Sequence, residues 1–120
     1  MPYNYKLEKK GLEAFFKPWQ IIVIKYLEET HPKWLNVKQI TTRLNEDRKI
    51  SRSSIIQFLY AMRKNKIMEY SEKTGKGGYQ GLYRLKYKDK ELREALVKHM
   101  IEALINNFPE ETKQIINQLT

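Results

Sequence analysis

The sequence predicts a mainly α-helical fold with one small β-hairpin, an α+β domain, and two periodic patterns carry this prediction. Apolar residues recur at helical spacing in 18–30, 37–45, 52–64 and again from 89 onward. Between 67 and 87 the pattern changes to partial alternation, in Ile- and Tyr-rich runs on either side of the turn sequence TGKGG. With 120 residues, 41% of them hydrophobic, the chain is long enough for one modest core.

The first two helices have clear start and stop signals. Pro18 suits the first turn of a helix, because backbone N–H groups there have no acceptor within the helix and the N–H that proline lacks is not needed. Pro32 is expected to end that helix. A short extended piece at 34–35 follows. Asn36 is the expected N-cap of a second helix over 37–45, with Gln39 completing a capping box.

The third helix, over 52–64 with Ser51 as its N-cap, has two different faces. Four apolar side chains fall within one narrow arc and form the expected core face: Ile55, Phe58, Leu59 and Met62. The opposite side carries Ser53, Gln57, Tyr60 and Lys64, with Ile56 at its margin and Arg52 and Arg63 on one flank. We therefore expect this outward face to contact another molecule, while the apolar face packs in the core.

Positive charge is concentrated in one third of the chain. The net charge is +9, and residues 48–88 hold 11 basic and 2 acidic side chains, which accounts for the whole excess. In the second hairpin strand, alternation is expected to place Arg84, Lys86 and Lys88 on one face, next to Lys73 and Lys76 near the turn. This segregation favours a polyanion-binding face over a merely solvated one.

From residue 89 the chain is helical again, and Pro109 is expected to divide this region into two helices. The apolar band is wider than packing on one small domain requires, so we expect part of it to form a homodimer interface. The expected dimerisation residues are Leu92, Leu96, Met100, Ile101, Leu104, Phe108, Ile115, Ile116 and Leu119. The alternative is that this band folds back onto its own domain.

Catalytic and metal-binding patterns are lacking in the sequence. There is no cysteine, and His31 and His99 are far apart in the chain with no metal-ligand spacing around them. The run GKGGYQG has Gln80 where a dinucleotide loop requires glycine. The sequence thus predicts no enzyme and no cofactor. It also shows no membrane span or signal peptide, and the expected location is the cytoplasm.

The element order of helix, short strand, helix, turn, helix and hairpin is that of a winged helix-turn-helix, in which the third helix enters the major groove of double-stranded DNA and the hairpin is the wing. The expected DNA-binding residues are Arg52, Ser53, Ser54, Ile56, Gln57, Tyr60, Lys64, Lys73, Lys76 and Arg84. The alternative function is a winged helix that makes protein contacts in a transcription or repair assembly. The sequence indicates no particular small-molecule effector.

Three segments, PWQIIVIKYLEE, WLNVKQITTRL and SRSSIIQFLYAMRKNKIMEY, together with the GLYRLKY strand and a helix broken near NNFPEE, resemble the penicillinase-repressor family of winged-helix regulators. The resemblance covers 15–119 and implies a homodimeric repressor that reads a near-palindromic operator. Lys66 departs from it, at a turn position often held by glycine. The implied organisation is an N-terminal arm or short helix (1–17), a DNA-binding domain (18–88) and a helical dimerisation segment (89–120).

Overall fold

The computed structural model describes residues 5–46, 49–75 and 77–120. After a short 3-10 helix at Gly11–Ala14, the elements are α1 (Pro18–Thr30), β1 (Leu35–Asn36), α2 (Val37–Asn45), α3 (Arg52–Lys64), β2 (Met68–Gly75), β3 (Gly78–Leu85), α4 (Asp89–Asn107) and α5 (Pro109–Leu119). This order confirms the predicted α+β class and the winged helix-turn-helix arrangement.

The predicted limits of α1, α2 and α3 are confirmed, and local capping explains two of the starts. At α2, the Gln39 backbone N–H donates to Asn36 Oδ1 and the Asn36 N–H donates to Gln39 Oε1, both at 2.8 Å. At α3, the Ser54 N–H donates to Ser51 Oγ at 3.1 Å. Both caps satisfy backbone groups that a helix start leaves unpaired.

The end of α3 is a Schellman turn with Lys66 in the left-handed region, at φ 63°. The Ile67 N–H donates to the Met62 carbonyl and the Lys66 N–H donates to the Arg63 carbonyl, each at 3.0 Å. The side chains of Ile67 and Met62 are fully buried. This turn directs the chain from the helix into the wing.

The sheet has three antiparallel strands in the order β1-β3-β2. Leu85 and Met68 are register partners and Tyr83 is paired with Tyr70, and the sheet face that carries these residues is turned to the core. The expectation of one basic strand face over 84–88 is wrong beyond Leu85. The strand ends there, and Lys88 is instead the N-cap residue of α4.

The core includes residues from the N-terminal stretch. Leu12, Ala14 and Phe16 are buried, and the Phe16 ring meets the Phe58 ring edge-on with centroids 6.0 Å apart. Trp19 also meets the Phe58 ring edge-on, with centroids 5.4 Å apart. The buried face of α3 is the predicted one, because Ile55, Phe58, Leu59 and Met62 are all buried.

The apolar band of α4 and α5 divides into an inner and an outer part. Leu92 and Leu96 are fully buried in the core of their own protomer, so they offer no surface to a second chain, and the expectation that they form a dimer interface is corrected. Met100 packs at the edge of that core. The remaining expected dimerisation residues are exposed: Ile101, Leu104, Phe108, Ile115, Ile116 and Leu119.

Glu28, near the end of α1, holds the first turn of α4. Its Oε2 accepts from the Asp89 backbone N–H and from Arg93 Nη1, both at 2.7 Å. Burial acts to raise the pKa of the Glu28 carboxyl, but the hydrogen bonds from Arg93 and Asp89 and the charges of Arg93 and Lys25 outweigh it, so the pKa lies below its ordinary 4.5. The carboxylate thus fixes α4 to the rest of the domain.

Replacing Lys66 by glycine is expected to stabilise the fold by about 0.5–1 kcal/mol. Glycine removes the side-chain clash of the left-handed conformation, and this gain exceeds its greater loss of backbone entropy. Urea unfolding with an unchanged m-value measures the effect. Lys98→Gly, inside α4 at ordinary helical angles, is the control and is expected to destabilise by about 1 kcal/mol.

Glu28→Gln is expected to destabilise the protein by about 1–2 kcal/mol at neutral pH, since it weakens a charged hydrogen-bond pair. Because the folded pKa is lowered, this contribution is complete above about pH 4.5 and is lost as the pH falls through the folded pKa. The variant's unfolding free energy should therefore vary less with pH in the acid range. The exposed neighbour Glu29, changed to Gln, is the control, and an equal effect there would contradict the assignment.

Candidate nucleic-acid interface

The outward face of α3 is a row of free polar side chains. Ser53, Gln57, Tyr60 and Lys64 are exposed on the side opposite the core stripe, and the exposed fraction of Tyr60 is 58%. No side-chain hydrogen bond or ion pair occupies them within 5–46, 49–75 and 77–120. Their donors, acceptors and charge are therefore available to another molecule.

Two other α3 residues predicted to bind DNA, Ser54 and Ile56, do not belong to this row of free polar side chains. Ser54 is half-buried, and its hydroxyl oxygen lies 2.8 Å from Ser51 Oγ, so it belongs to the helix cap. Ile56 is exposed at the margin of the face, where its apolar side chain meets solvent.

A polar cleft of about 370 Å³ separates the starts of α2 and α3 from the wing. Arg52 lines it from α3, Lys38 from α2, and Lys73 from β2. Among the described residues that line this cleft none is acidic, so the positive charges of Lys38, Arg52 and Lys73 face the same space. Cations arranged in this way suit the phosphates of a nucleic-acid backbone.

The cleft is also lined by residues that the sequence analysis did not identify as binding candidates. Lys38 is the second residue after the Asn36 cap, and its place in the first turn of α2 was the available signal. Tyr79 and Gln80 line the wing side of the cleft, and 79% of Tyr79 is exposed. Lys76 lies outside the described residues.

Arg84 is engaged within the protein. Its Nε donates to Glu69 Oε1 at 3.1 Å, and its Nη1 donates to the Pro32 carbonyl at 3.2 Å. The guanidinium carbon lies 4.2 Å from the centre of the Trp34 ring. These contacts join the α1–β1 loop to the wing, and they set Arg84 apart from the free cations of the cleft.

The end of α3 is tied to the wing by an aromatic contact. The guanidinium carbon of Arg63 lies 3.7 Å from the centre of the Tyr70 ring. Desolvation of the Tyr70 hydroxyl, together with its 3.0 Å hydrogen bond to Glu72, raises the pKa of Tyr70 above its ordinary value. The wing is thus held at a fixed position beside α3.

Neither a metal cluster nor a bilayer-spanning helix is found in the part of the chain that the structure describes. Its histidines, aspartates and glutamates form no group of three that would hold a metal ion. Its helices are too short or too polar to cross a membrane.

Gly81→Ala is expected to loosen the wing at a cost of about 1–3 kcal/mol, typical of inserting a methyl group where there is no room. An added Cβ would lie 3.0 Å from Tyr70 Cε1, so the ring, which also contacts Arg63, would have to shift by a few tenths of an ångström. Faster amide exchange in β2 and β3 is the expected signature. Gly75→Ala is the matched control, because a Cβ there has no neighbour within 4 Å. Equal exchange in both variants would contradict this role for the ring.

Comparison with known proteins supports the fold and not the predicted family. No family model matches the chain, and no curated protein matches it either, so membership of the penicillinase-repressor family is not supported. A solved structure described as a possible transcriptional regulator from Methanosarcina mazei Go1 matches with a TM-score of 0.60 and 15% identity, covering 82% of this chain and 78% of that one. Diamide-treated YodB from B. subtilis matches with a TM-score of 0.51 and 23% identity, over 77% of this chain and 82% of its own. The chain therefore shares the fold of these proteins, an α+β winged helix-turn-helix.

Proposed function

We propose that this protein is a double-stranded DNA-binding transcriptional regulator. The observation that carries the proposal is the free polar face of α3 beside a cleft lined by Lys38, Arg52 and Lys73. The fold likeness to a protein described as a possible transcriptional regulator supports the same function. Two of these cations, Arg52 and Lys73, belong to the basic segment 48–88.

In this proposal α3 enters the major groove, whose width admits a helix. Ser53 and Gln57 hydrogen-bond base edges, with the Gln57 amide suited to adenine, and Ile56 contacts a thymine methyl group. Tyr60 and Lys64, farther along the same face, contact phosphates. The side chains without internal partners thus supply the sequence readout.

The wing supplies contacts to the DNA backbone. Lys73 and Arg52 approach phosphates from opposite sides of the cleft, and Lys38 adds a third charge. Such contacts fix the position of the protein on the duplex and add affinity with little sequence information. Because Arg84 is held by Glu69 and Trp34, we assign it to positioning the wing.

We further propose that the protein is a homodimeric repressor that acts in the cytoplasm. The exposed apolar side chains of α4 and α5 would form the dimer contact, and Phe108 at their junction is 57% exposed. Two α3 helices held in fixed geometry read half-sites about 34 Å apart, or a multiple of that distance, on a near-palindromic operator. A dimer bound there would block access of the transcription machinery to the promoter.

Duplex DNA binding is expected to weaken steeply with salt, since each neutralised phosphate contributes a slope of about −0.9 in log K against log salt. Arg52→Ala and Lys73→Ala should each weaken all sequences alike and reduce that slope by about 1. Lys113→Ala, in the exposed face of α5, is the control. Fluorescence anisotropy over a salt series measures both quantities.

Gln57→Ala and Ser53→Ala should instead change which sequences are selected from a random duplex pool. A good bidentate base contact discriminates by about 1–3 kcal/mol. Binding that is flat in salt, or unchanged selection by both α3 variants, would contradict the proposal. A folded protein that binds no duplex at low salt would favour the protein-contact alternative.

A further inference from the structure

An apolar groove of about 440 Å³, called the arm groove below, runs between the N-terminal arm and α4. Here the arm means residues 5–17. Tyr5 and Phe15 line one wall with rings 5.1 Å apart, and Val97, Met100 and Ile101 line the other. Half of the Val97 side chain is exposed. The groove is thus apolar surface left open beside a helix whose first half belongs to the core.

This groove continues into further apolar surface. Ile101 lines it and also lines a second groove of about 380 Å³, between the end of α4 and the inner side of α5. Leu104, Phe108 and Leu119 line that second groove. A continuous apolar strip from the arm to α5 has the extent of a helix-binding surface rather than of a small-molecule pocket.

The charges at the two ends of this strip are complementary. Lys9 and Lys10 line the arm groove and have no ion-pair partner among the described side chains. Glu110 and Glu111, in the first turn of α5, are likewise exposed and unpaired there. Two acidic residues of α4 are already paired, in Lys90–Glu94 and Lys98–Glu102, each at 3.8 Å.

We infer that α5 of a second copy of this chain docks in the groove between the arm and α4. Its stripe of Ile115, Ile116 and Leu119 would meet Val97 and Ile101, and its acidic first turn would meet Lys9 and Lys10. In its own protomer α5 lines the second groove and contributes no lining residue to the arm groove, so an α5 that fills the arm groove would belong to a second copy.

Two-fold symmetry makes this contact reciprocal, because the same two patches meet twice. The inference rests on the dimer of the proposed function and adds that the arm takes part in it. Leu119, with 81% of its surface exposed, would then be covered at both ends of the dimer.

Cross-linking between two single-cysteine variants tests the contact directly, because the natural chain has no cysteine. Lys10→Cys and Glu111→Cys are both at exposed positions, which the proposed contact brings together. After the two variants are mixed and treated with a short bifunctional maleimide, a covalent dimer containing one copy of each is expected. Ser53→Cys mixed with Glu111→Cys is the control and should give none.

Charge reversal gives an independent readout. Lys10→Glu and Glu111→Lys should each raise the dimer dissociation constant by up to about fivefold, as for an exposed ion pair, and their combination should restore it. Lys113→Glu is the control, and sedimentation measures all four proteins.

The two proposals fail in different ways. A dimer without the arm–α5 cross-link, and without restoration in the double variant, would overturn this inference and leave the proposed regulator intact. A natural chain that is monomeric at tens of micromolar would remove the dimer from the proposed function as well as this contact, whereas DNA binding by the α3 face is measured separately.

Discussion

The burial of one stripe of α3 is the constraint on which the rest of the molecule depends. Phe58 contacts the rings of both Phe16 and Trp19, and Ile55 and Leu59 on the same stripe are fully buried. Truncating such a residue to alanine costs about 2–5 kcal/mol, so rotation of α3 about its axis is strongly opposed. Because the stripe is fixed inside, Ser53 and Gln57 are fixed outside. The core therefore determines which side chains form the outward face of α3, the face proposed to bind DNA.

The position of the wing follows from the end of the same helix. Ile67 enters the core one residue after the left-handed turn at Lys66, which fixes where β2 begins. The contact of Arg63 with Tyr70 then holds the strand beside the last turn of α3. The cleft between the helix starts and the wing is thus bounded by elements that are fixed to the core, and Lys38, Arg52 and Lys73 line it together.

The fourth helix links the proposed reading surface to the proposed dimer contact. Leu92 and Leu96 pack inside the domain. Val97, the residue after Leu96, and Ile101, one turn later, are exposed. Glu28 anchors the start of this helix to α1. A partner that binds the outer part of α4 therefore contacts an element that is continuous with the core. The spacing of two α3 helices in a dimer would then be set by rigid structure rather than by a flexible linker.

The sequence by itself determined the helix limits and the inward stripe of α3, because caps such as Asn36 and Ser51 and the periodicity of apolar residues act over a few neighbouring positions. It also located the wing and the basic segment. Only the tertiary structure placed Phe16 in the core, Arg84 on Glu69 and Trp34, and Lys38 in the cleft. Leu96 and Ile101 share one apolar band in the sequence, and only packing separates the buried residue from the exposed one. These outcomes depend on contacts between residues distant in the chain, which local patterns do not encode.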